Sequence, residues 1–203
     1  LARLLPGNLF SAGYATPANP AGLPAGERAC RTALKRARAE FRDLAPIRDG
    51  ATCGIAHPVS LSRIGSVRIA PAATLTCDMA LALAQWTRSE LVPAARWRYW
   101  SGVDTIRASS AYSCRNVAGS GKPSQHASGN AIDISRIVLN SGREIDVAKP
   151  GFFAFRERGF LNSVRSNGCS YFNTTLGPGY DELHADHFHF DIRARGKGGK
   201  YCR

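Results

Sequence analysis

Apolar residues return along this chain with two different periods, and the places where the period changes divide it into elements. From Glu27 to Leu44, the residues Ala33, Ala37, Phe41 and Leu44 recur at helical spacing among arginines and lysines, which predicts an amphipathic helix with a solvated basic face. Val59 to Ile69 alternates apolar and polar positions as a short hairpin does. Beyond Pro71, Leu75, Met79, Leu83 and Trp86 predict a second, more buried helix over Leu75 to Leu91, ended by Pro93. The stretch Arg96 to Tyr112, with Trp97, Tyr99 and Trp100, reads as a strand or as an aromatic loop, because periodicity does not separate the two. Ala131 to Leu139 is β-branched and alternating, and Asn140-Ser141-Gly142 turns it back into Glu144 to Val147 as a hairpin. Phe152 to Val164 has helical spacing, and His187 to Ile192 alternates as a strand. This succession predicts an α+β fold, with helices flanking a small antiparallel sheet. Residues 1–26 are rich in Ala, Pro and Gly, and Pro6, Pro17, Pro20 and Pro24 deny them a helix. They read as a linker or wrapped arm, which leaves 27–203 as one domain of ordinary size.

Composition adds limits. Hydrophobic residues at 44% and charged residues at 21% exclude wholesale disorder and a fibrous fold. No window approaches the roughly 18 consecutive apolar residues of a membrane span, so no integral membrane segment is expected. The chain starts at Leu1 without a leader pattern and reads as a processed or trimmed protein. Six cysteines lie scattered without a C-x-x-C pair, which favours three disulfides in an oxidising compartment over a zinc ribbon and leaves the pairing open. The formal charge of +12 attracts polyanions. Lysines, arginines and aromatics form no interleaved run, so the balance reads as surface adaptation to an anionic envelope and not as a nucleic-acid site.

The chemistry concentrates in two stretches, Ser124 to Asp133 and His184 to Asp191. Strand alternation sends Phe188 and Phe190 to one face and His187, His189 and Asp191 to the other, and likewise separates Ile132 and Ile134 from Asp133. If the two strands are neighbours, Asp133 and His189 converge, and Gly129-Asn130 lets the chain turn sharply enough for His126 to join them. Two imidazoles and a carboxylate match a catalytic zinc site, which keeps three protein ligands and an exchangeable water. Amide hydrolysis there also needs a base. His187 has the reach and an ordinary pKa of about 6.5, with Asp186 and Glu182 as alternatives.

These residues resemble the bacterial extensin-like C-terminal domain family over about Cys30 to Cys202. The resemblance rests on Ala-Tyr-Ser-Cys-Arg at 111–115, S-x-H-x-x-G-x-A-x-D ending at Asp133, Leu-Gly-Pro-Gly at 176–179, the H-x-x-H-x-H run and Tyr201-Cys202. The S-x-H-x-x-G-x-A-x-D pattern is also similar to that of lysostaphin-type enzymes, D-Ala-D-Ala metallopeptidases and hedgehog domains, and the histidine run to that of penicillin-insensitive murein endopeptidases. The resemblance implies a zinc peptidase acting on peptidoglycan stem peptides, most simply a crosslink endopeptidase of D,D or L,D specificity, with carboxypeptidase or dipeptidase action as the alternative, secreted or periplasmic. It makes His126, Asp133 and His189 the Zn2+ ligands, on one face of the sheet. It also makes His187 the base, His184 a second histidine near water or substrate, and Arg115 a group facing the scissile carbonyl. One departure stands out: D-Ala-D-Ala dipeptidases carry a glutamate base three residues before the last histidine ligand, where this chain has Asp186. The alternative from another class is a non-catalytic, zinc-stabilised wall-binding or protein-binding module.

Overall fold

The computed structural model describes residues 22–148 and 154–203. The predicted arm therefore lies almost wholly outside the described residues. The first helix, α1 (Ala25–Arg36), carries Glu27 in its first turn and Lys35 and Arg36 in its last, complementing the helix dipole. It stops well short of the predicted Leu44. Arg38 turns the chain at φ 56°, and Ala39–Asp43 forms a strand, β1, with alternating burial. Phe41, which fits a helical stripe, instead packs against the core from the sheet, because strand pairing outweighs weak local helix preference. Strands β2 (Ile47–Asp49) and β3 (Cys53–Ile55) form a separate two-stranded ribbon.

The predicted hairpin is present as β4 (Val59–Ile64) and β5 (Val67–Leu75). Helix α2 (Cys77–Trp86) follows, with the Thr76 hydroxyl accepting from the Met79 N–H at its start. Pro93 does not end this helical run. Thr87–Leu91 widens into a π turn in which the Val92 N–H reaches the Thr87 carbonyl, and Pro93 then sits in the first turn of α3 (Val92–Tyr99). A proline is tolerated there because first-turn N–H groups lack helical partners anyway. Of the aromatic stretch, Trp97 and Tyr99 belong to α3, Trp100 caps it, and the strand is β6 (Val103–Ser110).

The remaining elements are β7 (Ala131–Leu139), β8 (Glu144–Asp146), α4 (Phe155–Gly168), β9 (Thr174–Leu176), β10 (Phe188–Asp191) and β11 (Tyr201–Cys202). Phe152, at the start of the predicted last helix, lies outside the described residues. The sheet is larger than expected: among the described residues it has nine strands, in the order β1-β4-β5-β6-β7-β10-β9-β11, with β8 on β7. It is mostly antiparallel, with parallel pairs β5–β6 and β9–β11. Strands of two or three residues, such as β9 and β11, are too short to show a period and exist only through their neighbours.

One face of the central strands is apolar. Phe188, Phe190, Ile132 and Ile134 bury among helix residues, with Trp86 edge-on to Phe190 at 5.1 Å and its indole N–H donating to the Val164 carbonyl. The three expected disulfides are formed, as Cys30–Cys77, Cys53–Cys114 and Cys169–Cys202. They tie α1 to α2, the β3 ribbon to the loop carrying Arg115, and the end of α4 to β11. No helix among the described residues is long and apolar enough to cross a membrane.

Candidate metal centre

The opposite face of the same strands is polar. Strand β10 lies antiparallel to β7 with His189 directly opposite Asp133, and Asp133 pairs on its other side with Ser110 of β6. Alternation that buries Phe188 and Phe190 therefore presents His189 and Asp191 beside Asp133.

His126 arrives from a single 3-10 turn, Gln125–Ser128, capped by Ser124 and closed by Gly129 at φ +69°. The Thr76 hydroxyl donates to Asn130 Oδ1, and the Thr76 N–H to the Gly129 carbonyl, so the start of α2 anchors this turn. A Cβ at Gly129 would adopt a left-handed backbone and collide with the Ile55 side chain. Gly129→Ala should cost about 2 kcal/mol in urea unfolding, a figure that follows from the left-handed penalty plus local repacking. An unchanged midpoint would show that the turn carries no such constraint.

His126, Asp133 and His189 bring one ligand atom each to within 4.8 Å of one another, and His126 and Asp133 are buried. The His126 Nδ1–H donates to the Ala111 carbonyl at 2.6 Å, which leaves Nε2 with its lone pair towards the centre. The His189 Nε2–H donates to Asp191 Oδ2 at 3.1 Å, which leaves Nδ1 facing inward. Nδ1 of His189 lies 2.9 Å from Asp133 Oδ1 and 3.3 Å from His126 Nε2, and that Nε2 lies 3.2 Å from Asp133 Oδ2. Three acceptors thus meet with no hydrogen of their own to share. A cation satisfies them, or else a proton on His189 does. Burial pulls the His189 pKa down, but hydrogen bonds and charge from Asp133 and Asp191 outweigh it and raise it to about 9, which favours the proton whenever no cation is bound. Burial pushes Asp133 up, and its contacts with His126 and His189 more than reverse this, holding it well below the usual carboxylate range. The donor set, with imidazole nitrogens oriented by a carbonyl and a carboxylate, fits zinc.

The supporting shell was only partly legible. Asp191 was visible as a same-face neighbour of His189, but its task comes from a relay: Arg195 donates to Thr174 Oγ1 at 2.7 Å, Thr174 to Asp191 Oδ1 at 2.6 Å, and His189 to Asp191 Oδ2. Asp191→Asn should weaken zinc binding roughly 10–100-fold in a competition titration, as loss of an orienting carboxylate does. Unchanged affinity would remove the relay from the account.

The other predicted residues gather around the cluster. His187 turns Nε2 to within 3.7 Å of Asp133 Oδ1, while its Nδ1–H donates to Asp186 Oδ1 at 2.7 Å. Asp186 is largely exposed and bears on His187 rather than on the cluster, and Glu182 does not line the groove. His184 donates Nδ1–H to Asp181 at 2.6 Å and faces His187 and His189 ring to ring. Arg115, half exposed, donates to Asp133 Oδ2 at 3.1 Å, so its guanidinium rests on the carboxylate and not in open space. Arg115, His184 and His187 line, with the cluster, an open groove of about 470 Å³, whose rim carries Tyr180, Leu183 and Tyr201. Tyr180 follows the Leu-Gly-Pro-Gly motif and Tyr201 belongs to the Tyr-Cys motif, but neither pattern marks a groove residue and neither was foreseen as one; the Tyr201 hydroxyl donates to that of Tyr180 at 3.3 Å.

Residues 28–203 match the family profile described as extensin-like protein C-terminus. The chain belongs to this family. The match takes in every residue of the cluster and groove, from the Arg115 loop to Tyr201, in agreement with the sequence motifs. No curated protein and no solved structure is significantly similar to this extensin-like chain.

Proposed function

We propose that this extensin-like domain is a zinc-dependent peptidase that hydrolyses amide bonds in peptidoglycan stem peptides, most simply as a crosslink endopeptidase. The observation that carries this reading is the meeting of three acceptor atoms, from His126, Asp133 and His189, at the floor of an open groove with a fourth imidazole, His187, beside them and outside the set. A structural zinc site is closed by four protein ligands, whereas three ligands and access from solvent are the pattern of a catalytic one. The similarity of the S-x-H-x-x-G-x-A-x-D and H-x-x-H-x-H motifs to murein endopeptidases and lysostaphin-type enzymes supports the same reading.

When bound, zinc supplies a Lewis acid that polarises the scissile carbonyl and lowers the pKa of water. His187 takes the proton of the attacking water at Nε2 and returns it to the leaving amine, while Asp186 holds the ring through Nδ1–H. Arg115 tempers the charge of Asp133 and, being half exposed, swings towards the substrate oxyanion. His184 and the tyrosines of the rim hold the peptide against the cluster. The +12 charge keeps the enzyme near anionic wall polymers, and three disulfides suit secretion or the periplasm.

Purified sacculi incubated with zinc-loaded protein should release soluble muropeptides. His187→Ala should keep its metal and lose roughly 10²–10⁴-fold in turnover, the worth of a general acid–base catalyst. Wall binding by the native protein with no released product would instead identify a zinc-stabilised binding module.

A further inference from the structure

Away from the groove, the two most exposed large hydrophobic side chains among the described residues are tryptophans. Trp97 is 83% exposed and Trp100 93%, although tryptophan is usually well buried. They lie three residues apart, Trp97 in the last turn of α3 and Trp100 at its C-cap. Trp100 holds a left-handed backbone at φ 55°, at a helix end where glycine or asparagine is the favoured residue. A large aromatic is thus kept pointing outwards where a small residue would be easier to accommodate.

The surroundings are cationic. Arg96 and Arg98 flank the tryptophans on α3, and Arg98 reaches over α4, where an added Cβ at Gly159 would stand 2.7 Å from its Nη1. Arg143 and Arg156 stack over the Tyr99 ring at 5.7 and 5.9 Å, and Arg158 over the ring of Phe155, itself 63% exposed, at 4.7 Å. Glu157 lies among these guanidinium groups and pairs with Arg143. The C-terminal end of α3 and the start of α4 thus bring exposed aromatic rings and several guanidinium groups to one region of the surface.

We infer that this end of α3 and α4 docks the protein on an anionic phospholipid surface. Tryptophan settles at the level of lipid headgroups with its ring in the interface, and each arginine near a negatively charged leaflet adds attraction. The charge of the patch selects lipid over the neutral sugar chains that exposed tryptophans also stack on. The placement fits the groove as well. Val103, just after the patch, pairs with Leu139 at one end of β7, while Asp133 and the cluster lie at the other end, roughly 20 Å along the strand. A protein seated by the tryptophans leaves its groove directed away from the bilayer. This inference stands independently of the peptidase reading.

The test is co-sedimentation of the whole protein with vesicles of phosphatidylglycerol and of phosphatidylcholine, alongside purified sacculi. Trp86 is fully buried and insensitive to the medium, so a shift in tryptophan emission on binding reports chiefly on Trp97 and Trp100. The expected result is binding to phosphatidylglycerol vesicles only, with emission shifting to the blue and with loss of binding at high salt. Trp97→Ala/Trp100→Gly should lower the partition coefficient about tenfold or more while the circular dichroism stays native, and Arg96→Glu/Arg156→Glu should do the same without removing a tryptophan. Equal binding to both vesicles, unchanged binding by the variants, or a loss confined to sacculi would each overturn the inference, the last in favour of glycan stacking.

Discussion

Alanine at His126 or at His189 should strip the proposed zinc site of its ion: plasma mass spectrometry is expected to read about one zinc per native chain and a small fraction of that in either variant, because two ligands do not hold zinc against water. The proposed turnover on sacculi should fall in both by more than the roughly 10²–10⁴-fold expected of His187→Ala, since both the activation of water and the polarisation of the carbonyl would be lost together. His126→Ala carries a second cost. The imidazole is buried and donates to the Ala111 carbonyl, so its removal leaves that carbonyl short of a donor, at about 1–3 kcal/mol. His189→Ala strands Asp191 in the same way, although Thr174 and the Arg193 N–H still satisfy one of its oxygens. Metal retained by both variants would place the ligands elsewhere. No metal in the native protein, even after zinc is supplied, would remove the peptidase reading altogether.

The second large effect is on stability as pH changes, and it should disappear when zinc is supplied. In the metal-free protein the raised pKa of His189, about 9 against an unfolded value of about 6.5, means that the folded state holds a proton the unfolded chain releases. That contribution is fully present below about pH 6.5 and is lost as pH rises through about 9; the difference amounts to about 3 kcal/mol. Asp133 acts in the opposite sense at the acid end, stabilising above the ordinary carboxylate pKa and failing as pH falls. Urea midpoints measured with a chelator present should therefore fall between pH 6.5 and 9. With zinc present the ion takes the place of the proton, binding tightens as pH rises, and the fall should vanish. A chelated protein whose midpoint stays flat across that window would show that His189 does not hold the shared proton.

Much of the site was legible in the sequence because strand alternation is a local rule. His189, Asp191 and Asp133 on one face and Phe188, Phe190, Ile132 and Ile134 on the other follow from period two alone, and the structure has them so. The turn at Gly129 was also readable, since a glycine between two polar anchors marks a sharp bend. The helix boundaries were not. Phe41 and Leu44 satisfy a helical stripe and yet belong to or follow a strand, because β4 offers β1 a ladder that no local pattern announces. Pro93 looked like a stop and lies inside a helical run, because the π turn before it removes the need for its missing N–H.

The sequence by itself determined the alternation of faces, the presence of enough cysteines for three disulfides, the family, and the residue types from which a zinc site is made. Only the tertiary structure decided which strands are neighbours, which cysteines pair, and that Ala111, Thr174, Asp191 and Asp186 orient the imidazoles. The reason is one of range. Periodicity and turn chemistry act within a few residues, whereas Asp133 meets His189 across 56 positions of chain, and Cys53 meets Cys114 across 61, through contacts whose strength depends on everything packed between them.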